Sequence, residues 1–400
     1  MLHKWPRLLR RHDLWLQWGA STICAMVSLG LSVLIARLMG PTLFGNYALW
    51  LGIGAVMGIF LDAGFRTLLL RERTAPTGGS QLQLEKDAPS MLGHLLLIGL
   101  PLGAIAGGVS GNWSGPGVVL CFAAITLAQW YSAWLKGAGE FRLEAKWQLA
   151  GRLISASLIV AALLLFDPTP AIVFVAWAVG LLLAIQVMGP RVSIPAALPV
   201  LMLYRGSLSF AAVDLATLIY NRADIILLYS YSDAAEVGRY AAAYRLYDGI
   251  LLLAAPLTLL LFRHMRLSPD LRPEVRAMGL ALGAGIMLST AGWLLGNPVT
   301  AYLFGPEFTQ GHLISWLLCA LIFALPNGVL TQWAIARHQE RYYALAAAAA
   351  ASCNIALNVA LIPQHGALGA AWATIATEAL LGTLLLARCW CCETDRVRTP

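Results

Sequence analysis

Four charged residues lie in a stretch that is otherwise apolar enough for a membrane. They are Arg222, Asp224, Arg245 and Asp248, and the stretch covers residues 221–256. A charge in the hydrocarbon is costly, so it persists only where it faces protein, water or a partner. The pattern therefore predicts a helical hairpin that lines an aqueous interior, with the other membrane spans packed around it.

Carboxylates recur at membrane depth elsewhere in the chain. Asp62 and Arg66 are four residues apart and share a helix face. They form either a self-neutralising local ion pair or a cavity-facing pair, in which Arg66 meets an anion and Asp62 binds a cation. Asp214 has no basic residue three or four positions away, so we interpret it as an unpaired carboxylate and a functional candidate. The alternative for Asp214 is burial in the protonated form.

Glu378 lies mid-way along the last apolar segment and is harder to explain as helix packing than an amide would be. Asn354 and Asn358 are of the type that joins helices by hydrogen bonds. The charged residues at membrane depth therefore give two sets of candidate site residues. Anion binding is assigned to Arg37, Arg66, Arg222 and Arg245, and cation coupling to Asp62, Asp214, Asp224, Asp248 and Glu378.

Arginine binds phosphate through two parallel hydrogen bonds, and tyrosines stand beside two of these arginines. Tyr240, Tyr244 and Tyr247 with Arg222 and Arg245 would suit a sugar linked to phosphate. Ordinary interface packing of the tyrosines is equally compatible, and so is an Arg222 side chain that reaches the membrane surface.

The apolar residues fall in long uncharged blocks. Hydrophobic residues make up 59% of the 400 and charged ones only 12%, whereas a soluble domain carries about 25% charged residues. Because one span needs roughly 20 apolar residues, we predict an all-α membrane protein with about twelve transmembrane helices. They are expected at 14–38, 44–70, 91–110, 117–136, 149–166, 170–189, 206–230, 240–262, 276–296, 312–336, 342–362 and 366–388.

The basic residues predict the orientation. Only Arg37 and Arg239 fall in the loops opposite the N terminus, and Arg66, Arg222 and Arg245 fall inside spans. Every other Lys or Arg lies on the side of the N terminus. The positive-inside rule therefore predicts that both termini are cytoplasmic.

Several classes of function lack support in the sequence. No GK[ST], HExxH or GxSxG motif occurs, so no cofactor, metal or nucleotide hydrolysis is predicted, and a proton or sodium gradient would supply energy. The basic residues sit in short loops, which argues against nucleic acid. The histidines, His94 among them, are expected at loops or span ends on the surface. Cys389, Cys391 and Cys392 are interpreted as tail cysteines in a reducing cytoplasm.

Three pairs of segments repeat at a nearly constant offset. LMGPTLFGNYALW from Leu38 matches SDAAEVGRYAAAY from Ser232, with Gly45 on Gly238. The offset predicts two six-helix bundles, residues 1–190 and 191–400, related by a pseudo-two-fold axis along the membrane normal. Parallel repeats of this kind are a transporter architecture with the substrate path between the halves.

Five stretches together resemble the polysaccharide transporter family of flippases. They are NRADIILLYSYSDAAEVGRYAAAYRLYDG, LIARLMGPTLFGNYALW, LDAGF, LFGPEF and NIALNVALIPQHGALGAAWATIATE. The matching motif positions are Arg37, Asp62, Asn221, Asp224 and Gly238. The family shares a superfamily with multidrug antiporters and the lipid II flippase.

The resemblance implies a function. Two bundles with alternating access would move an undecaprenyl-diphosphate-linked oligosaccharide across a bacterial inner membrane, in contact with membrane lipids and the polymerase or export machinery of a polysaccharide pathway. The rivals are a cation-coupled multidrug antiporter of the same fold and a scramblase-like assembly factor. An enzyme such as a polymerase or ligase is disfavoured, because the longest outer loop, residues 296–311, is too short to hold donor and acceptor.

Overall fold

The computed structural model describes residues 11–74, 78–189, 197–198, 201–267 and 272–398. Within those ranges all regular structure is helical, as predicted. The helices are α1 (Arg11–Asp62), α2 (Phe65–Thr74), α3 (Gly78–Ser110), α4 (Ser114–Gly137), α5 (Phe141–Leu165), α6 (Pro170–Met188), α7 (Leu201–Tyr231), α8 (Ala234–Leu267), α9 (Arg272–Phe304), the 3₁₀ turn Pro306–Phe308, α10 (Leu313–Cys319), α11 (Leu321–Ala336) and α12 (Glu340–Arg398).

Eight helical segments in the described part of the chain are long and apolar enough to cross a membrane, so the chain is a multi-pass membrane protein. α1 has 52 residues and α12 has 59, although one span needs only about 20. Each is interrupted by a glycine with non-helical backbone, Gly40 in α1 and Gly366 in α12. The total of twelve spans stays a prediction.

Some expectations fall outside the described residues. The predicted bundle boundary at 190/191 lies there, and so do Lys4, Arg7, Arg10 and Arg191, on which the predicted orientation partly rests. The boundary and the cytoplasmic termini therefore remain predictions.

The chain divides into two compact units. The first contains the chain as far as Leu31 together with Leu49–Asn221, and the second contains Ser32–Ala48 and the chain from Arg222 onward. The core of the first unit gathers around Phe65 and Trp130. In the second unit α10 and α11 are central, and the fully buried Leu317 and Leu321 pack there with Tyr240.

Two glycines allow a close backbone approach within the second unit. A Cβ atom on Gly45 would clash with the carbonyl oxygen of Ala234, and one on Gly238 would clash with that of Pro41. The contacts are reciprocal, because Ala234 follows Pro41 by the same offset that separates Gly238 from Gly45. Such reciprocity is what a two-fold axis produces between equivalent segments. It supports the repeat predicted for these two stretches.

We predict that Gly238→Ala destabilises the protein, because the new methyl group forces the two backbones apart. Overpacking of this kind costs about 1–3 kcal/mol. The matched control is Gly52→Ala, which also lies within a helix but has open space around its Cβ position. Thermal unfolding in detergent should show a lower midpoint for Gly238→Ala and an equal or higher one for Gly52→Ala. Equal behaviour of the two variants would contradict the close contact.

Candidate functional site

The predicted second span is not continuous, and the expectation of one helix over 44–70 was wrong. α1 ends at Asp62 and α2 begins at Phe65. Between them Ala63 and Gly64 adopt left-handed backbone, with φ of 48° and 78°. A Cβ on Gly64 would also clash with the carbonyl oxygen of Ser207, because α7 packs directly on the break. Left-handed geometry is strained for alanine and persists only where the surroundings enforce it.

Two polar side chains each bind a backbone group that the break exposes. The Asp62 carboxylate accepts a hydrogen bond from the backbone N–H of Arg66 at 3.0 Å and another from the indole N–H of Trp130. His94 binds the freed carbonyl oxygen of Phe60 at 2.9 Å. A helix end without such partners would leave polar groups unpaired in lipid. The break is therefore a built feature of the first unit.

His94 was expected at the surface, and that expectation was wrong. Its side chain is only 4% exposed and packs edge-on against Phe65. Because a carbonyl oxygen only accepts, Nε2 carries the proton that binds Phe60, and Nδ1 accepts from the hydroxyl of Tyr204 at 2.7 Å. His94 thus joins α3 to the break and to α7. Sequence did not indicate this role, since its partners are a backbone atom and a residue 110 positions away.

Arg66 and Asp214 form an ion pair, so the interpretation of Asp214 as unpaired was wrong. Nη2 of Arg66 lies 3.2 Å from Oδ2 of Asp214, and Nη1 lies 3.5 Å from Oε1 of Gln129. The two charged side chains are 41% and 33% exposed. In place of the local side-chain pair considered for Asp62 and Arg66, the Asp62 carboxylate binds the backbone N–H of Arg66. Arg66, a candidate for binding an anion, and Asp214, a candidate for binding a cation, therefore contact each other at a half-exposed position.

The second unit places the hairpin charges near one another. The Asp224 side chain is buried and accepts a hydrogen bond from the hydroxyl of Tyr240 at 2.6 Å. Asp248 lies close enough to Arg245 and Arg222 for their charges to interact. Tyr240 and Tyr247 are buried, which favours the packing interpretation of the tyrosines. The side chain of Asn221 lies outside the described residues.

Glu378 has a polar partner on a neighbouring helix. Nδ2 of Asn327 donates to Oε2 of Glu378 at 2.7 Å and to its carbonyl oxygen at 2.8 Å. Nearby, Asn354 donates to Thr377 and Asn358 donates to Asn354, as expected of residues that join helices. Oδ1 of Asn327 is buried without a partner among the described atoms. The position of Glu378 thus leaves its predicted role in cation coupling open to test.

Arg37 has a structural partner. Its guanidinium donates to the carbonyl oxygens of Tyr302 and Leu303, at the C-terminal end of α9. A cation at this end of a helix satisfies free carbonyls and offsets the helix dipole. Binding of an anion by Arg37 remains a prediction, and it would have to compete with this contact.

Glu144 is a buried polar centre that the sequence did not single out. Its side chain is 1% exposed, and its carboxylate accepts from Gln17, Ser132 and Gln148 and pairs with Lys136 at 3.1 Å. The sequence assigned this region to a loop, but α5 begins at Phe141. A glutamate in the first turn of a helix was the available signal.

Comparison with known proteins agrees with this architecture. A family model described as "Polysaccharide biosynthesis protein" matches residues 16–262, and the chain belongs to that family. No curated protein matches the sequence.

Solved structures show which fold the chain has. The lipid II flippase MurJ in an inward closed conformation aligns with a TM-score of 0.70 at 17% identity, over 93% of this chain and 87% of that one. An inward-facing multidrug resistance MATE transporter of the MOP superfamily aligns at 0.60 with 13% identity, over 96% and 95%. An outward-facing one aligns at 0.51 with 10% identity, over 96% and 97%. The chain therefore has the fold shared by these membrane transporters.

We predict that Asp62 matters chiefly as a hydrogen-bond acceptor. Asp62→Ala leaves the Trp130 N–H and the Arg66 N–H unpaired and should cost about 1–3 kcal/mol of unfolding free energy. Asp62→Asn keeps an acceptor oxygen and should retain most of the stability. Unfolding followed by intrinsic tryptophan fluorescence compares the two variants. An equal loss in both would show that the negative charge, and not the acceptor, holds the break.

Proposed function

We propose that the protein flips an undecaprenyl-diphosphate-linked oligosaccharide from the cytoplasmic to the outer leaflet of a bacterial inner membrane. The product would supply synthesis of a surface polysaccharide such as O-antigen or exopolysaccharide. The observation that carries the proposal is the half-exposed Arg66, held at the break between α1 and α2 in a chain with this family membership and fold. Arginine at membrane depth suits an anion that must cross the membrane.

The chemistry of the substrate explains the charges. A diphosphate cannot cross hydrocarbon alone, and guanidinium groups bind its oxygens through paired hydrogen bonds. In the proposed cycle Arg66 binds the diphosphate in the first unit, and Arg222 and Arg245 bind it in the second. Asp62, Asp214, Asp224, Asp248 and Glu378 stay the candidates for a coupling proton or sodium ion.

The proposed layout is the one expected from the sequence. It has twelve spans in two six-helix bundles, with both termini in the cytoplasm. The lengths of α1 and α12, each with a central glycine break, support two spans in each of them. A polymerase or export complex would act on the product at the outer face.

A strain that lacks the protein tests the proposal. We expect lipid-linked oligosaccharide to accumulate on the cytoplasmic leaflet while surface glycan disappears. Mass spectrometry of the lipid extract would identify the sugar, and accessibility to a membrane-impermeant reagent would identify the leaflet. Normal lipid intermediates together with normal surface glycan would overturn the proposal.

Complementation of the same strain tests the arginines. We predict that Arg222→Ala with Arg245→Ala abolishes surface glycan, because the diphosphate loses two cationic partners, while folded protein remains in the membrane. The control is the pair Arg276→Ala and Arg341→Ala, which removes two exposed arginines from the same unit. Full activity of the Arg222/Arg245 variant would remove these two residues from the site.

A cation-coupled multidrug antiporter is the alternative. The fold match to MATE transporters favours it, and so do the buried carboxylate of Asp224 and its Tyr240 partner. An antiporter of cationic drugs would raise drug resistance when it is expressed in a sensitive strain. Under that alternative the arginine variants would keep resistance, because cations do not bind guanidinium groups.

A further inference from the structure

The Arg66–Asp214 pair has the geometry of an occupied anion site. A guanidinium offers five N–H donors in a planar fork that matches phosphate oxygens two at a time. Nη2 lies 3.2 Å from Oδ2 of Asp214 and Nη1 lies 3.5 Å from Oε1 of Gln129, so the carboxylate engages only part of that fork. Both side chains are about one third or more exposed, so neither is sealed inside the protein. A phosphate that bound two donors would therefore compete well with the Asp214 carboxylate.

The backbone beneath Arg66 is fixed. Its N–H is bound by Asp62, and Phe65 beside it is fully buried among aromatic rings. Arg66 also lies in the first turn of α2, where the helix dipole favours anions. The guanidinium can thus change partner while the helix start stays in place.

We propose that Asp214 is a displaceable counter-ion of an anion site at Arg66, so that phosphate on Arg66 and a monovalent cation on Asp214 bind together. The proposal rests on the proposed function only for the identity of the anion as a diphosphate diester. The cation is a proton or Na⁺, the ions that a single carboxylate accepts most simply.

The need for a cation follows from what faces Asp214. Among the residues that the structure describes, the charged groups near it are Arg66 on α2 and Asp62 at the end of α1. When Arg66 turns to a phosphate, Asp214 is left beside that phosphate and the Asp62 carboxylate. Asp62 stays engaged with Trp130 and the Arg66 backbone. A carboxylate beside two other negative groups is repelled by both, so Asp214 takes up a cation.

Thermodynamic linkage makes the coupling between anion and cation the same in both directions. If anion binding strengthens cation binding, the cation strengthens anion binding by the same factor. The two ligands are therefore cooperative at this site, whereas an exchanger needs them to compete. The pair by itself would load the diphosphate together with its neutralising cation.

Binding of a soluble probe to the purified full chain tests the proposal. The probe is the dimethyl diester of diphosphate with one methyl group on each phosphorus, whose charge stays constant near neutral pH. Calorimetry would measure its affinity from about pH 5.5 to about pH 8, in sodium chloride and in choline chloride. If the cation is a proton, affinity should rise as pH falls, by up to about tenfold per pH unit. If it is sodium, affinity should rise with sodium at constant pH.

The variants give the decisive comparison. Asp214→Asn should bind the probe more tightly than wild type at about pH 8 and lose the dependence on pH and sodium. Arg66→Lys keeps the charge but loses the fork, so its affinity should fall. Asp167→Asn, which removes an exposed carboxylate in the same unit, should match wild type. Thermal unfolding confirms that each variant is folded.

Three results would overturn the proposal. One is an Asp214→Asn variant that binds no more tightly than wild type. Another is an Asp214→Asn variant with unchanged cation dependence, and the last is a folded wild-type protein that does not bind the probe. The leaflet assay is separate from these results. Normal glycan in the deletion strain with intact probe binding would reject flipping and keep the anion site.

Discussion

A polar group of the backbone that lies in lipid must find its partner inside the protein, and the candidate site depends on this constraint. The left-handed Ala63 and Gly64 interrupt the helical hydrogen bonds between α1, which is apolar enough to cross a membrane, and α2. The interruption is tolerated because Asp62 takes the N–H of Arg66 and His94 takes the carbonyl of Phe60. Interrupted helices are one element from which transporters build substrate and ion sites.

The same constraint applies to charged side chains, and it separates two kinds of carboxylate in this chain. Asp224 and Glu144 are buried, and each is held by hydrogen bonds from neighbouring helices. Such satisfied groups lock helices together and are expensive to rearrange. Within the described part of the chain, Asp214 instead pairs with Arg66 from another helix, and it remains one third exposed. Its position allows a change of partner. A carboxylate that couples ion binding to transport needs such a change, whereas one that holds helices together does not.

The sequence predicted well what depends on local composition. Apolar length indicated a helical, multi-pass membrane protein, and the repeat offset found Gly45 and Gly238, which the structure brings into reciprocal contact. It also selected Arg66 and Asp214 separately, because charges are rare in such stretches. Their pairing was out of reach, since 148 residues lie between them and the spacing rules cover only one helix.

The errors have a common physical origin. The break at Ala63 was missed because alanine favours a helix and apolar residues occur on both sides of LDAGF, at 59–60 and 68–70. His94 was placed at the surface because its polarity suggested water, whereas its partners are a backbone carbonyl and a tyrosine supplied by the fold. In both cases tertiary contacts decide a conformation that the local sequence opposes.

A binding arginine in a membrane protein poses a problem that Asp214 resolves. Without an anion, a bare guanidinium at this depth would carry the full cost of an unpaired charge. A buried permanent partner would remove that cost but would also block binding. A carboxylate that is one third exposed and engages only part of the guanidinium does neither, because it neutralises Arg66 and still yields to a ligand that offers two oxygens. The exposure of the pair is therefore the property that allows one residue to serve both the stability of the fold and the binding of an anion.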